Sequence, residues 1–203
     1  MTPERFQKIK DILNKRQPDL TVVLDNIHKP HNLAAIIRSC DAVGVSDIHG
    51  ISFNEQKVGV NLKSASGSNH WVNLHIHHSV PNVISELKQS GFSIYAANGS
   101  AKAIDYRKVD YTKPSVIVLG AELDGISPET LDMVDEEIKI PMQGMVESLN
   151  VSVANAVILF EAQRQRLQAG LYEKCRLDKN TVEKLLFEFS YPEAAKVYQS
   201  TGE

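Results

Sequence analysis

Short runs of apolar and β-branched residues punctuate this chain, with segments of helical periodicity between them. The runs at 20–24, 47–51, 71–76, 93–97, 115–119 and 137–140 have the length and make-up of buried strands. Residues 3–16 put Phe6, Ile9, Ile12 and Leu13 at helical spacing, and Gln17-Pro18-Asp19 ends that helix. A second helix carries Leu33, Ile36, Ile37 and Cys40 inward. Asn32 is placed to cap it and Gly44 to stop it. Further helices are expected over 81–89, 128–134, 148–169 and 181–189, and 57–68 reads as a loop with a short helix. Parallel strands need a crossover between them, usually a helix, so this alternation predicts an α/β fold on a mainly parallel sheet. A chain of 203 residues is accounted for by one domain.

Charge is unevenly placed. The formal net charge is −3, yet residues 1–16 (Arg5, Lys8, Lys10, Lys15 and Arg16 against Glu4 and Asp11) carry +3. Residues 161–176 (Arg164, Arg166, Lys174 and Arg176 against Glu161 and Glu173) carry +2. A phosphate footprint needs a local patch, so a nucleic-acid partner is compatible with a slightly acidic chain. No run reaches the ~20 apolar residues of a membrane span, and the N-terminus lacks the apolar core of a signal peptide. Cys40 and Cys175 match no redox or metal spacing and read as free thiols of a reducing cytoplasm, Cys40 as a buried small apolar residue. His75, His77 and His78 lack zinc-like spacing and read as a solvated strand end; no metal is expected.

In parallel α/β sheets the ligand sits beyond the carboxyl ends of the strands. No G-x-G-x-x-G, P-loop or G-x-S-x-G occurs there. Instead Asn98-Gly99, Gly120-Ala121 and Pro141-Met-Gln-Gly-Met145 offer small residues and backbone, suited to hold a flat adenine. Arg38 interrupts an apolar helix, where an arginine needs a partner if buried. Ser148, Asn150, Ser152 and Asn155 crowd the start of the long helix. Ser148 suits an N-cap, which leaves Asn150 unexplained. With Glu122, these side chains are placed to orient a hydroxyl and a phosphate.

Three blocks resemble the SPOUT family of RNA methyltransferases. They are His28-Lys-Pro-His-Asn-Leu-Ala-Ala-Ile-Ile-Arg-Ser-Cys-Asp-Ala-Val-Gly44, Leu119-Gly-Ala-Glu-Leu-Asp-Gly-Ile126, and Ile140 through Ala154 running on to Arg166. The likeness extends from Arg16 to about Tyr172. It implies an α/β knot fold with a C-terminal deep trefoil knot, an exception to the rule that chains do not thread. It also implies three segments: a basic helix over 1–18, a knotted catalytic core over 19–170 and a helical tail over 171–203. The implied reaction is S-adenosylmethionine-dependent methylation of the ribose 2'-hydroxyl of guanosine 18 in the D-loop of tRNA. The alternatives are another RNA target, ribosomal RNA or a tRNA anticodon loop, or a non-catalytic RNA-binding factor on the same fold. Partners are tRNA and a second copy of the chain, which shares the active site.

Position by position, the resemblance makes Asn32, Arg38, Glu122, Ser148 and Asn150 catalytic. Ala97, Gly120, Ile140, Met142 and Leu149 line the cofactor pocket, and Lys8, His31, Arg164, Arg166 and Lys174 meet tRNA. Asn32 is expected to hold Arg38. A double change of Arg164 and Arg166 is expected to weaken tRNA binding while sparing the cofactor. A guanidinium seldom gives up its proton. Arg38 therefore either becomes a base through desolvation beside the sulfonium, or stays charged and stabilises the alkoxide.

Overall fold

The computed structural model describes residues 1–27, 29–51, 71–122 and 124–201. Among them, seven strands form one sheet in the order β3-β2-β1-β6-β4-β7-β5. These are β1 (Leu20–Asp25), β2 (Asp47–Ile51), β3 (Asn73–His77), β4 (Ser93–Ala97), β5 (Ile104–Asp105), β6 (Ser115–Gly120) and β7 (Glu136–Lys139). Every recorded pairing is parallel. The central strands β1 and β6 are buried almost throughout, which explains why they read as continuous apolar runs and not as alternating ones. The two-residue β5 was invisible in the sequence: it is too short to show a period.

The helices are α1 (Pro3–Leu13), α2 (Pro30–Ala42), α3 (Val80–Gln89), α4 (Pro128–Leu131), α5 (Val151–Gln168), α6 (Lys179–Ser190) and α7 (Pro192–Thr201). The last was not anticipated, and the expected loop at 57–68 lies outside the described residues. Two helix starts differ from expectation. Pro30 opens α2, so Asn32 sits inside its first turn, buried, and is not a cap. Asn150, not Ser148, caps α5: its Oδ1 accepts from the Ser152 amide at 2.9 Å. Gly44 follows α2 at φ +86°, and a Cβ there would lie 2.6 Å from the Lys15 carbonyl oxygen. A side chain at this position is excluded on both counts.

Helix α2 packs on α5, and the buried faces of both meet the sheet in one core that includes Leu33, Ile36, Ile37, Cys40, Ile158 and Leu159. On the other face of the sheet α3 places Val83, Ile84 and Leu87 against Ile94, Val116 and Val118. A small separate cluster joins the two ends of the chain, Ile9 and Leu13 of α1 against Leu185 of α6. Cys40 is buried, and burial first of all pushes its thiol up to about 12; Cys175 is exposed. A thiol reagent at neutral pH should therefore label one cysteine rapidly and the second only after denaturation, because the thiolate is the reactive form. Two rapidly labelled thiols in the native protein would contradict this packing.

Candidate active site

The C-terminal ends of β4, β6 and β7 open into two adjoining cavities. One is lined by Ala97, Ile140, Met142, Ser148 and Leu149, among others. The second shares Ala97, Ser148 and Leu149 and adds Gly120, Glu122 and Asn150. All five residues expected to hold the cofactor therefore border one cleft. Backbone groups within 141–149 make no backbone hydrogen bond among the described residues. An apolar lining with unpaired amides and carbonyls fits the adenosine end of S-adenosylmethionine. Gly120 has a different reason to be glycine: a Cβ there would lie 2.2 Å from Gly125, in the turn closed by the Ala121–Gly125 bridge.

Beside the cleft four side chains from three segments form one network. The Asn32 Nδ2 donates to Glu122 Oε1 at 2.7 Å, and Asn150 Nδ2 donates to the same oxygen at 2.9 Å. Asn150 also donates to Asn32 Oδ1 at 3.2 Å. The other carboxylate oxygen, Oε2, pairs with Lys29, which the sequence did not single out. Two carboxamides and an ammonium thus hold one carboxylate in place where α2, the β6 loop and α5 meet. Asn150 serves twice, as cap and as tether, which is why capping alone left it unexplained.

The loop that carries Glu122 is anchored from below. Asp25, buried at the end of β1, takes hydrogen bonds on Oδ2 from the Ser127 amide at 2.9 Å and from the Ser127 and Thr130 hydroxyls at 2.8 Å each. A buried carboxylate is stable only when its lone pairs are met in this way.

Arg38 stands apart. It is exposed and makes no hydrogen bond or ion pair with a described residue. The expectation that Asn32 holds it is wrong for a geometric reason. Six residues along a helix rotate the side chain by roughly 120° net, so the two point to different sides. Ser148 borders both cavities and makes no recorded hydrogen bond of its own.

Of the five residues expected to meet RNA, Lys8, His31, Arg164 and Lys174 are exposed. Arg164 is paired with Glu161 at 2.7 Å and with Gln168 at 2.8 Å. Arg166 is different: it is fully buried and donates to Tyr111 O, Gln17 Oε1, Asp19 Oδ1, Asp19 O and Lys113 O. No donor is left for a phosphate, so Arg166 is corrected from an RNA contact to a structural arginine. Arg16 and Arg176 are likewise spent within the chain, on Asp41 and Asp19.

The histidines are not merely a solvated strand end. His75 bonds Asp47 at 2.9 Å, and His49 meets His77 at 3.1 Å. Burial, then His77 and His75, push His49 down to about 4. Among the described residues no group of three or more metal-type ligands is placed to hold an ion, and no helix is long and apolar enough to cross a membrane.

Residues 19–160 match the model of the SpoU rRNA Methylase family, and 164–203 match the model of its C-terminal region. The chain belongs to the SpoU methylase family. Within it, the chain is 50% identical over 192 residues to the tRNA (guanosine(18)-2'-O)-methyltransferase of Thermus thermophilus, covering 91% of this chain and 95% of that one. The A. aeolicus TrmH/SpoU tRNA modifying enzyme superposes with a TM-score of 0.86 at 41% identity, covering 94% of this chain and 96% of that one. At lower identity, the AdoMet-bound rRNA methyltransferase of Sinorhizobium meliloti matches at 29% identity and a TM-score of 0.65, over 77% of this chain and 59% of that one.

Proposed function

We propose that this chain methylates the ribose 2'-hydroxyl of guanosine 18 in tRNA, with S-adenosylmethionine as methyl donor. The observation that carries the reading is the cleft at the ends of β4, β6 and β7 beside the Glu122 network, in a chain half identical to an enzyme named for that reaction. The cofactor supplies an activated methyl group. The protein's task is therefore to hold the hydroxyl in line and manage its charge.

Ala97, Gly120, Ile140, Met142 and Leu149 border the space for the cofactor. Asn32, Lys29 and Asn150 fix the Glu122 carboxylate, which presents an acceptor beside the cleft. Arg38 meets the ribose and its phosphate as a cation: among the described residues it has no partner to release first. As the 2'-oxygen attacks, the guanidinium stabilises the developing negative charge, and the hydroxyl proton leaves to a phosphate oxygen or water. Lys8, His31, Arg164 and Lys174 supply the electrostatic hold on tRNA.

The finer reading is one domain in which 19–170 is a knotted core, with the deep trefoil knot at the block that runs from Ile140 to Arg166. The placement of β7 between β4 and β5 is consistent with such threading. A second copy of the chain completes the site. Val153, Phe160 and Leu167, spaced seven residues apart along α5, expose an apolar stripe, with Met145 and Val146 exposed on the loop before it. The enzyme acts in the cytoplasm, where tRNA is modified.

The test is to incubate purified protein, cofactor and unmodified tRNA and to map the methylated nucleotide. A single 2'-O-methyl group at guanosine 18 is expected. Modification at an anticodon-loop position, or of ribosomal RNA alone, establishes the alternative target. No incorporation into any RNA rejects the enzyme.

A further inference from the structure

A third cavity lies far along the molecule from the Glu122 network, between α1 and the segment entering β3. Arg5, Lys8, Ile9 and Ile12 form one wall, and Trp71 and Asp41 the other. The α1 residues fall at i, i+3, i+4 and i+7, so they share one helical face. Its volume, ≈ 370 Å³, is within the range of small-ligand clefts.

The chemistry of the walls is specific. Arg5 and Lys8 are exposed, and neither side chain has an ion-pair partner among the described residues. The acidic residue opposite is already neutralised, because Asp41 pairs with buried Arg16 at 3.0 Å. Arg16 also donates to the Trp71 carbonyl at 2.7 Å, which fixes the backbone there. Trp71, the chain's one tryptophan, meets Phe189 edge-on at a centroid distance of 4.8 Å and is only half-buried, so part of the indole stays open to the cavity. Two unspent cations, an anchored aromatic and an apolar floor match a base with its flanking phosphates.

We propose that this cleft receives an unpaired nucleotide of the substrate RNA, its base against Trp71 and its phosphates on Arg5 and Lys8. The proposal rests on RNA being the substrate; it adds Arg5 and a base-binding wall to Lys8, already placed on the RNA, at a site remote from methyl transfer. Unpaired bases of RNA loops are commonly splayed out and stacked on aromatic side chains in this way.

The chain's one tryptophan makes the cleft its own reporter. Full-length protein is titrated with unmodified tRNA while Trp71 emission and its quenching by acrylamide are followed. Saturable quenching and protection from acrylamide are expected. In Arg5→Ala/Lys8→Ala, the half-saturation point should rise about tenfold or more. The slope of log affinity against log salt should fall by about 1.4, ~0.7 for each lost contact to single-stranded phosphate. Both side chains are exposed, so the fold and cofactor binding should be unchanged. Emission and acrylamide access that stay constant at tRNA concentrations saturating methyl transfer overturn the cleft while leaving the activity intact. A midpoint unmoved by the double change overturns it as well. Quenching with the expected salt effect, in a protein that transfers no methyl group, upholds the cleft and rejects the activity instead.

Discussion

Arg166→Ala should cost roughly 3–5 kcal/mol of stability, the range for breaking a buried ion pair from one side. In a chain of this size that is a drop of roughly 6–20 °C in thermal midpoint. The guanidinium is fully buried and holds together three otherwise separate places: the turn before β1 through Gln17 and Asp19, the segment before β6 through Tyr111 and Lys113, and α5 itself. Its loss strands buried carbonyls and leaves Asp19 to Arg176 alone. Asp19 gives a second readout. Burial by itself raises its pKa, but Arg176 and Arg166 outweigh burial and hold it below 3.8. A depressed carboxyl stabilises the fold above 3.8, and that contribution is lost as pH falls through the lower, folded value. The acid-induced loss should therefore be smaller in Arg166→Ala than in the parent. Calorimetry at neutral and acid pH checks both. A variant with a parental midpoint and weakened tRNA binding would return Arg166 to the RNA surface.

Arg38→Ala should do the opposite: lose at least a hundredfold in turnover at saturating tRNA and cofactor, with almost no change in stability. Removing one preorganised donor to a developing oxyanion typically costs 10²–10³ in rate. An exposed, unpartnered side chain typically carries less than about 0.5 kcal/mol of folding energy. Single-turnover methyl transfer, beside a melting curve, separates the two effects. Near-parental turnover would remove Arg38 from the reaction. Arg38→Lys should rescue little, because an ammonium cannot reproduce the planar fork.

The contrast between these two arginines shows what the sequence could tell. Strand and helix placement was largely legible: β-branched runs and apolar faces at 33, 36, 37 and 40 report burial directly, and those residues are buried. Which arginine is buried was not legible. Arg38 interrupts an apolar run yet lies on the open side of α2, whereas Arg166 sits in a charged stretch yet points inward. Its acceptors, Tyr111, Lys113, Asp19 and Gln17, lie 53 to 149 residues away, and no local pattern encodes them. The +3 and +2 segments accordingly overstated the surface charge, since Arg16, Arg166 and Arg176 are all spent inside. Lys29 was overlooked because its partner, Glu122, is 93 residues on. The other three members of the network, Asn32, Glu122 and Asn150, follow from family resemblance, but their wiring does not.

Asn150 makes the first turn of α5 and the Glu122 carboxylate a single mechanical unit. One face of its carboxamide closes the helix start and the other grips the acid, so the helix cannot fray at that end without loosening its hold on Glu122. Whatever settles into the adjoining cleft and braces this turn should therefore steady the acid too. Slower solvent exchange of the Ser152 amide on cofactor addition would be the signature of that linkage.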